Sequence, residues 1–179
     1  MKLVDADTAL ARVESGQQVF VQGAAATPST LLGALARRAK DVSGVGVVHL
    51  HTEGPAPHLD RSMQGHLRHR ALFIGPNARE AVNDGRAEYV PVFLSDIPRL
   101  FRRRGIPIDV ALLNVSPPDA HGFCSLGTSV DVTLAAVECA RLVIAQINPR
   151  MPRTHGDGFV HISRIDYGIA VDQPPHVHK

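Results

Sequence analysis

The segment Ser116–Gly122, SPPDAHG, puts an acid and a histidine directly behind two prolines. A carboxylate and an imidazole two residues apart can orient a proton or hold a polar substrate. The prolines fix φ and restrict the residue before each. They would hold Asp119 and His121 in place at little ordering cost, as a preorganised site requires. A rigid structural turn, with Asp119 capping it and His121 packed, fits the same residues. Cys124 follows closely and reads either as a nucleophile or as a small half-buried side chain.

A second concentration is HLHTEGPAPH, which brings His49, His51, Glu53 and His58 close in sequence. On a strand, His49 and His51 point the same way. Their spacing matches no zinc pattern, so no metal is expected, and these histidines read as bonding backbone or substrate. Glu53 is a candidate general base, as one of several exposed acids. A third stretch, QGAAATP (Gln22–Pro28), leads from an apolar run into a helix amino end, where free amides and the helix dipole favour an anion.

Other chemistries lack support. The chain has no G-x-G-x-x-G or G-x-x-x-x-G-K-[ST] for a dinucleotide or a P-loop, and no G-x-S-x-G elbow for a serine hydrolase. The arginine-rich runs RSMQGHLRHR (61–70) and RLFRRRG (99–105) suit phosphate or form solvated helix faces. A net charge of +2 and 4% aromatic residues argue against a nucleic-acid binder.

The elements that must position these residues follow in order. DADTALARVES reads as a helix closed by Gly16, and QVFVQG as a buried strand. TPSTLLGALARRAKD reads as a helix with Thr27 as N-cap and Pro28 opening it. VGVVHLH and ALFIG read as strands, PNAREAVNDG as a helix opened by Pro76, and AEYVPVF as a strand interrupted by proline, so an edge or a strand end. LSDIPRLFRRRG reads as a helix capped by Ser95. DVALLNV is a central strand covered on both faces, SVDVTLAAVECA a helix, and RLVIAQIN another buried strand. GFVHISRIDYGIAVD alternates like one or two peripheral strands. Strands alternating with helices over short connections predict an α/β fold, an open, mostly parallel sheet with helices on both faces. Ligands bind beyond the carboxyl ends of such strands, which selects five loops: 22–28, 51–58, 75–77, 116–122 and 148–158.

At 179 residues the chain suits one sizeable core. The expected division is a domain over 1–172 and a tail or linker over 173–179. No stretch approaches the roughly 18 apolar residues of a membrane helix. The acidic start does not read as a signal peptide, and two cysteines fit a reducing compartment. A cytoplasmic protein is expected.

The pieces FIGPNAREAVNDGRAEYVPVFLSDIPRLF and DVALLNVSPPDAHGFCSLGTSVDVTLAAVECARLVIAQINPRMPRTHGDGFVHISRID, with HTEGPAPHL more weakly, resemble the amino-terminal domain of the acetyl-CoA hydrolase/transferase family. That family includes acetate and 4-hydroxybutyrate CoA-transferases. The resemblance implies two similar α/β domains with acyl-CoA held between them, and a catalytic glutamate in the second domain. None of Glu14, Glu53, Glu80, Glu88 or Glu138 matches that glutamate's motif. The implied chemistry is attack of a carboxylate on the thioester, giving an acyl–glutamyl anhydride and CoA thiolate. The thiolate then converts the anhydride to a glutamyl-CoA thioester for a second acid to take over. The cleft must be dry and offer donors to the oxyanion.

On this reading coenzyme A is a substrate, no cofactor is bound, and the partners are an acyl-CoA, a small carboxylic acid and a second domain or subunit, with self-association as a further expectation. Neither nucleic acid nor membrane is expected as a partner. Expected contacts to substrate come from Gln22, Gly23, Ala24, Glu53, Asn77, Pro117, Asp119, His121, Gly122 and Asn148, with no catalytic residue in this chain. The alternatives are a non-catalytic CoA- or anion-binding module or assembly subunit and, behind it, a His-rich metalloprotein domain.

Overall fold

The computed structural model describes residues 1–177. In chain order its elements are β1 (Lys2–Leu3), α1 (Ala6–Leu10), β2 (Gln18–Val21), α2 (Ser29–Arg38), β3 (Val45–His49), β4 (Leu67–Ala71), α3 (Arg79–Asn83) and β5 (Ala87–Tyr89). There follow α4 (Ile97–Arg102), β6 (Val110–Val115), β7 (Phe123–Ser125), α5 (Thr133–Cys139), β8 (Leu142–Ile147), β9 (Phe159–His161) and β10 (Tyr167–Ala170). Eight strands form one sheet in the order β1-β10-β8-β6-β2-β3-β4-β5, and β7 pairs with β9 in a small separate ribbon. Every pairing in the large sheet is parallel.

The two-residue period of the central strands divides the core. Phe20, Ala111, Leu113 and Val115 pack with Phe101 of α4 and Ala136 of α5. Val19, Val21, Val110 and Leu112 face the other way, onto Leu10 of α1 and Leu31 and Leu35 of α2. All six residues of β6 are buried, as its unbroken apolar run requires. The expected α/β architecture, with helices on both faces, is therefore observed. Among the described residues no helix is long and apolar enough to cross a membrane.

Several local expectations are corrected. The strand expected at ALFIG lies earlier, at Leu67–Ala71, where Leu67, His69 and Ala71 turn inward and Arg68 and Arg70 outward. The arginines hid this alternation. Helix α1 is one short turn from Ala6, capped by Asp5, and α3 begins at Arg79 rather than Pro76. Ser95 lies in a 3-10 turn and caps nothing. Strand β10 is not peripheral, since it sits between β8 and β1.

Thr27 is not the cap of α2: its hydroxyl donates to the Ala24 carbonyl instead. The free amide of Leu31 in the first turn is met by the Gln146 side chain from β8, at 3.0 Å. The expected tail leaves regular structure but stays on the domain: Asn148 Nδ2 donates to Gln173 O at 2.8 Å, and the His176 amide donates to Ala25 O at 2.9 Å. His178 and Lys179, the end of that tail, lie outside the described residues.

Candidate functional site

The chain runs outward from β2 through β3 and β4 to β5, then returns to the other side of β2 as β6. The carboxyl edge between β2 and β6 is therefore a topological switch point, where open α/β sheets form a ligand crevice. Strand β2 leaves the sheet after Val21 while β6 continues to Val115. Gln22, fully buried, fills the gap with its side chain. Its Oε1 accepts the Asn114 amide at 2.7 Å, and its Nε2 donates to Ser129 O at 2.8 Å and Leu126 O at 3.0 Å. All of its amide hydrogen-bonding directions seen here go to protein backbone, so Gln22 braces the crevice.

The next residues bring two backbones together. A Cβ on Gly23 would stand 2.6 Å from the His51 carbonyl oxygen, so only glycine fits. Ala24 donates its amide to that same oxygen at 2.9 Å and holds a φ of +50°. Left-handed backbone at a non-glycine residue is sparsely populated and concentrates at functional segments. Thr27 Oγ1 then accepts the Glu53 amide at 3.0 Å, while the His51 ring and the Glu53 carboxylate lie 3.8 Å apart. Glu53 is not one of the exposed acids, since its side chain is only 16% accessible. Asn77 Nδ2 closes the third loop, donating to Thr52 Oγ1 at 3.1 Å and Gly54 O at 3.3 Å.

The tail links the fifth loop to this group. Asn148 holds Gln173, and His176 Nε2 meets Ser29 Oγ at 2.7 Å. Beside His51 opens an apolar hollow of about 360 Å³, lined by Leu50, Leu72, Phe73, Phe93 and Ile97 among others, with Phe73 and Phe93 largely exposed.

The SPPDAHG loop is organised within itself. Asp119 Oδ1 accepts the amides of His121 and Phe123, both at 2.9 Å, and Oδ2 is paired with Arg153. These bonds hold the Asp119 carboxyl below its ordinary pKa, the Phe123 amide foremost, against partial desolvation. Gly122, at φ +82°, accepts the Ile162 amide and sends the chain into β7. Pro117 and His121 are exposed.

The structure thus assembles Gln22, Gly23, Ala24, Glu53 and Asn77 directly and Asn148 through the tail. Pro117, Asp119, His121 and Gly122 form a separate turn on the same sheet edge. Sequence reasoning missed Thr27, Thr52 and His176, whose roles depend on cross-loop contacts. Cys124 is fully buried, and burial pushes its thiol up to about 11, so it is no nucleophile at neutral pH. The arginines of the 61–70 run pair with acids: Arg61 with Asp84, and Arg68 and Arg70 with Glu88.

Residues 1–177 match the model of the acetyl-CoA hydrolase/transferase N-terminal domain. A succinyl-CoA:acetate/propanoyl-CoA:succinate CoA transferase of Fasciola hepatica is 48% identical over 166 residues, which are 92% of this chain and 34% of that protein. A 4-hydroxybutyrate coenzyme A transferase of Clostridium kluyveri is 43% identical over 173 residues, 97% of this chain and 40% of its own length. The crystal structure of a 4-hydroxybutyrate CoA-transferase from Porphyromonas gingivalis superposes with a TM-score of 0.83 at 32% identity, over 98% of this chain and 40% of that one. The chain thus spans between a third and two fifths of the length of these relatives.

Proposed function

The chain belongs to the acetyl-CoA hydrolase/transferase family as its amino-terminal domain, and from that membership we propose that it forms one wall of the acyl-CoA cleft of a CoA-transferase. The substrates on this reading are an acyl-CoA and a small carboxylic acid, and the compartment is the cytoplasm, in keeping with two free cysteines. The attacking carboxylate comes from a second domain or subunit. The observation that carries the proposal is the closure of residues 22–24, 51–54 and 77 onto one another at the switch-point edge.

The chemistry follows from what such a wall supplies. A carboxylate is a weak nucleophile in water and strengthens when its hydration is replaced by fixed dipoles. A rim whose polar groups already bond one another has little need to admit water. The apolar hollow beside His51, with Phe73 and Phe93 at its mouth, suits the covering second half. Once the anhydride forms, excluding water directs it to thiolate rather than to hydrolysis.

The test measures CoA exchange between acetyl-CoA and short carboxylic acids, with the chain alone and joined to the carboxylate-bearing half of a relative. Exchange only in the joined protein is expected. Full turnover by the chain alone would overturn the assignment of the nucleophile to another domain.

A further inference from the structure

We propose that His49, His58 and His69 form a buried three-histidine site for a divalent transition cation, with zinc the expected occupant. The site departs from the sequence-based expectation of no metal. It also replaces the His49–His51–Glu53–His58 grouping, since the third ligand comes from a neighbouring strand.

Two adjacent parallel strands and one turn build it. In the β3–β4 register Val47 stands opposite His69 and His49 opposite Ala71. His49 and His69 are thus diagonal neighbours on one face of the sheet. The 3-10 turn Pro57–Leu59 lies over that face and delivers His58. The three residues are 0%, 2% and 3% exposed, and one ligand nitrogen from each lies within 4.8 Å of the others.

The chemistry of these rings asks for an occupant. His49 Nε2 and His69 Nε2 face one another at less than normal hydrogen-bond separation. His49 Nδ1, His69 Nδ1 and both nitrogens of His58 are buried with no hydrogen-bond partner. Buried polar atoms are almost always satisfied, and an apolar trio would fill this space without that penalty. A zinc ion about 2.0–2.1 Å from each nitrogen would take one lone pair per ring, and three histidines with one open position is an established zinc geometry. Ligands of a tetrahedral ion stand about 3.3 Å apart, so a bound ion would part His49 from His69 and draw His58 inward.

A hollow of about 10 Å³ adjoins His58 and His69, bounded also by Leu59, Asp60, Gln64 and Arg86. It has room for about one water, which would complete the coordination. The Arg86 charge on its wall is offset by Asp84 at 2.9 Å and Glu80 at 3.5 Å. His49 lies two residues before His51 and His58 five after Glu53, so a bound ion would pin both ends of the loop that carries them.

The test uses untagged polypeptide containing this chain, purified with zinc and dialysed, with metal quantified by mass spectrometry. About one zinc per chain is expected, with the intense visible d–d bands of a tetrahedral site on cobalt substitution. His58→Gln and His69→Gln should each lower the stoichiometry at least tenfold, whereas His155→Gln, on an exposed loop, should not. If a variant fails to fold, zinc titration of metal-stripped wild-type protein, followed through histidine ring NMR signals, decides: three buried rings should shift together. Stoichiometry below about a tenth, or zinc retained in both variants, would overturn the proposal.

Discussion

The hydroxyl of Thr27 accepts the backbone amide of Glu53 at 3.0 Å and donates to the carbonyl of Ala24 at 2.7 Å, joining two rim loops that lie 26 residues apart. Thr27 is 1% exposed, and both bonds are at least partly buried. Thr27→Val keeps the shape and removes both. It is expected to cost about 1–3 kcal/mol, the usual penalty for stranding buried polar groups, in urea unfolding of the chain. Thr27→Ser should recover most of that loss. On the proposed function, in the chain joined to the carboxylate-bearing half of a relative, a released Glu53 loop should lower kcat/KM about tenfold, equivalent to roughly 1.4 kcal/mol.

Asp119 gives a pH signature. Its carboxyl is held below its ordinary value, so the folded state binds the proton more weakly than the unfolded one. The stabilisation is complete above the unfolded value, about 4, and is lost as pH falls through the lower folded value. Wild type should therefore be more stable than Asp119→Asn by a constant margin above about pH 5. Urea midpoints should show that margin closing as the solution is acidified towards pH 2. A margin unchanged down to that pH would mean that the carboxylate contributes nothing through its charge.

The sequence made the sheet legible where side-chain patterning reports burial directly. Strand β6 declared itself through an unbroken apolar run, and β5 as an edge through Pro91, just beyond its last residue. It failed where a polar residue faces inward for a reason that lies elsewhere in the fold. His69 reads as part of a basic run until β3 is placed beside it. The first-turn Leu31 amide of α2 is met by Gln146, 115 residues away, and no local motif encodes that pairing. The five rim loops could be found from glycine, proline and the parallel-sheet rule. Which of their side chains brace the rim and which face a ligand depended on partners across the switch point.

Cys124 illustrates burial overruling proximity. It lies three residues after His121 but is fully enclosed, and desolvation raises its pKa to about 11. A disulfide reagent at pH 8 should leave Cys124 unmodified in the native chain and label it only after unfolding by urea. Cys124→Ala should cost about 1 kcal/mol through the small cavity left and, on the proposed function, leave CoA exchange by the joined protein within about twofold. Rapid native labelling, read by peptide mass, would restore the nucleophile reading.

Gln22 separates bracing from binding most sharply. Its side chain supplies an acceptor to the Asn114 amide and a donor to two carbonyls, at the point where β2 stops and β6 continues. Gln22→Leu has similar bulk and strands all three backbone groups at a fully buried position. A loss of about 2–4 kcal/mol is expected from that arrangement. Gln22→Glu keeps the acceptor for Asn114 but sets a carboxylate against the carbonyls of Leu126 and Ser129, so it should be no better tolerated at neutral pH and should improve on acidification as the group gains a proton to donate. Urea titrations at pH 7.5 and 5 distinguish these cases. If both variants fold as stably as wild type and only acyl-CoA affinity falls, Gln22 faces the substrate. The crevice would then be open at the switch point rather than braced by Gln22.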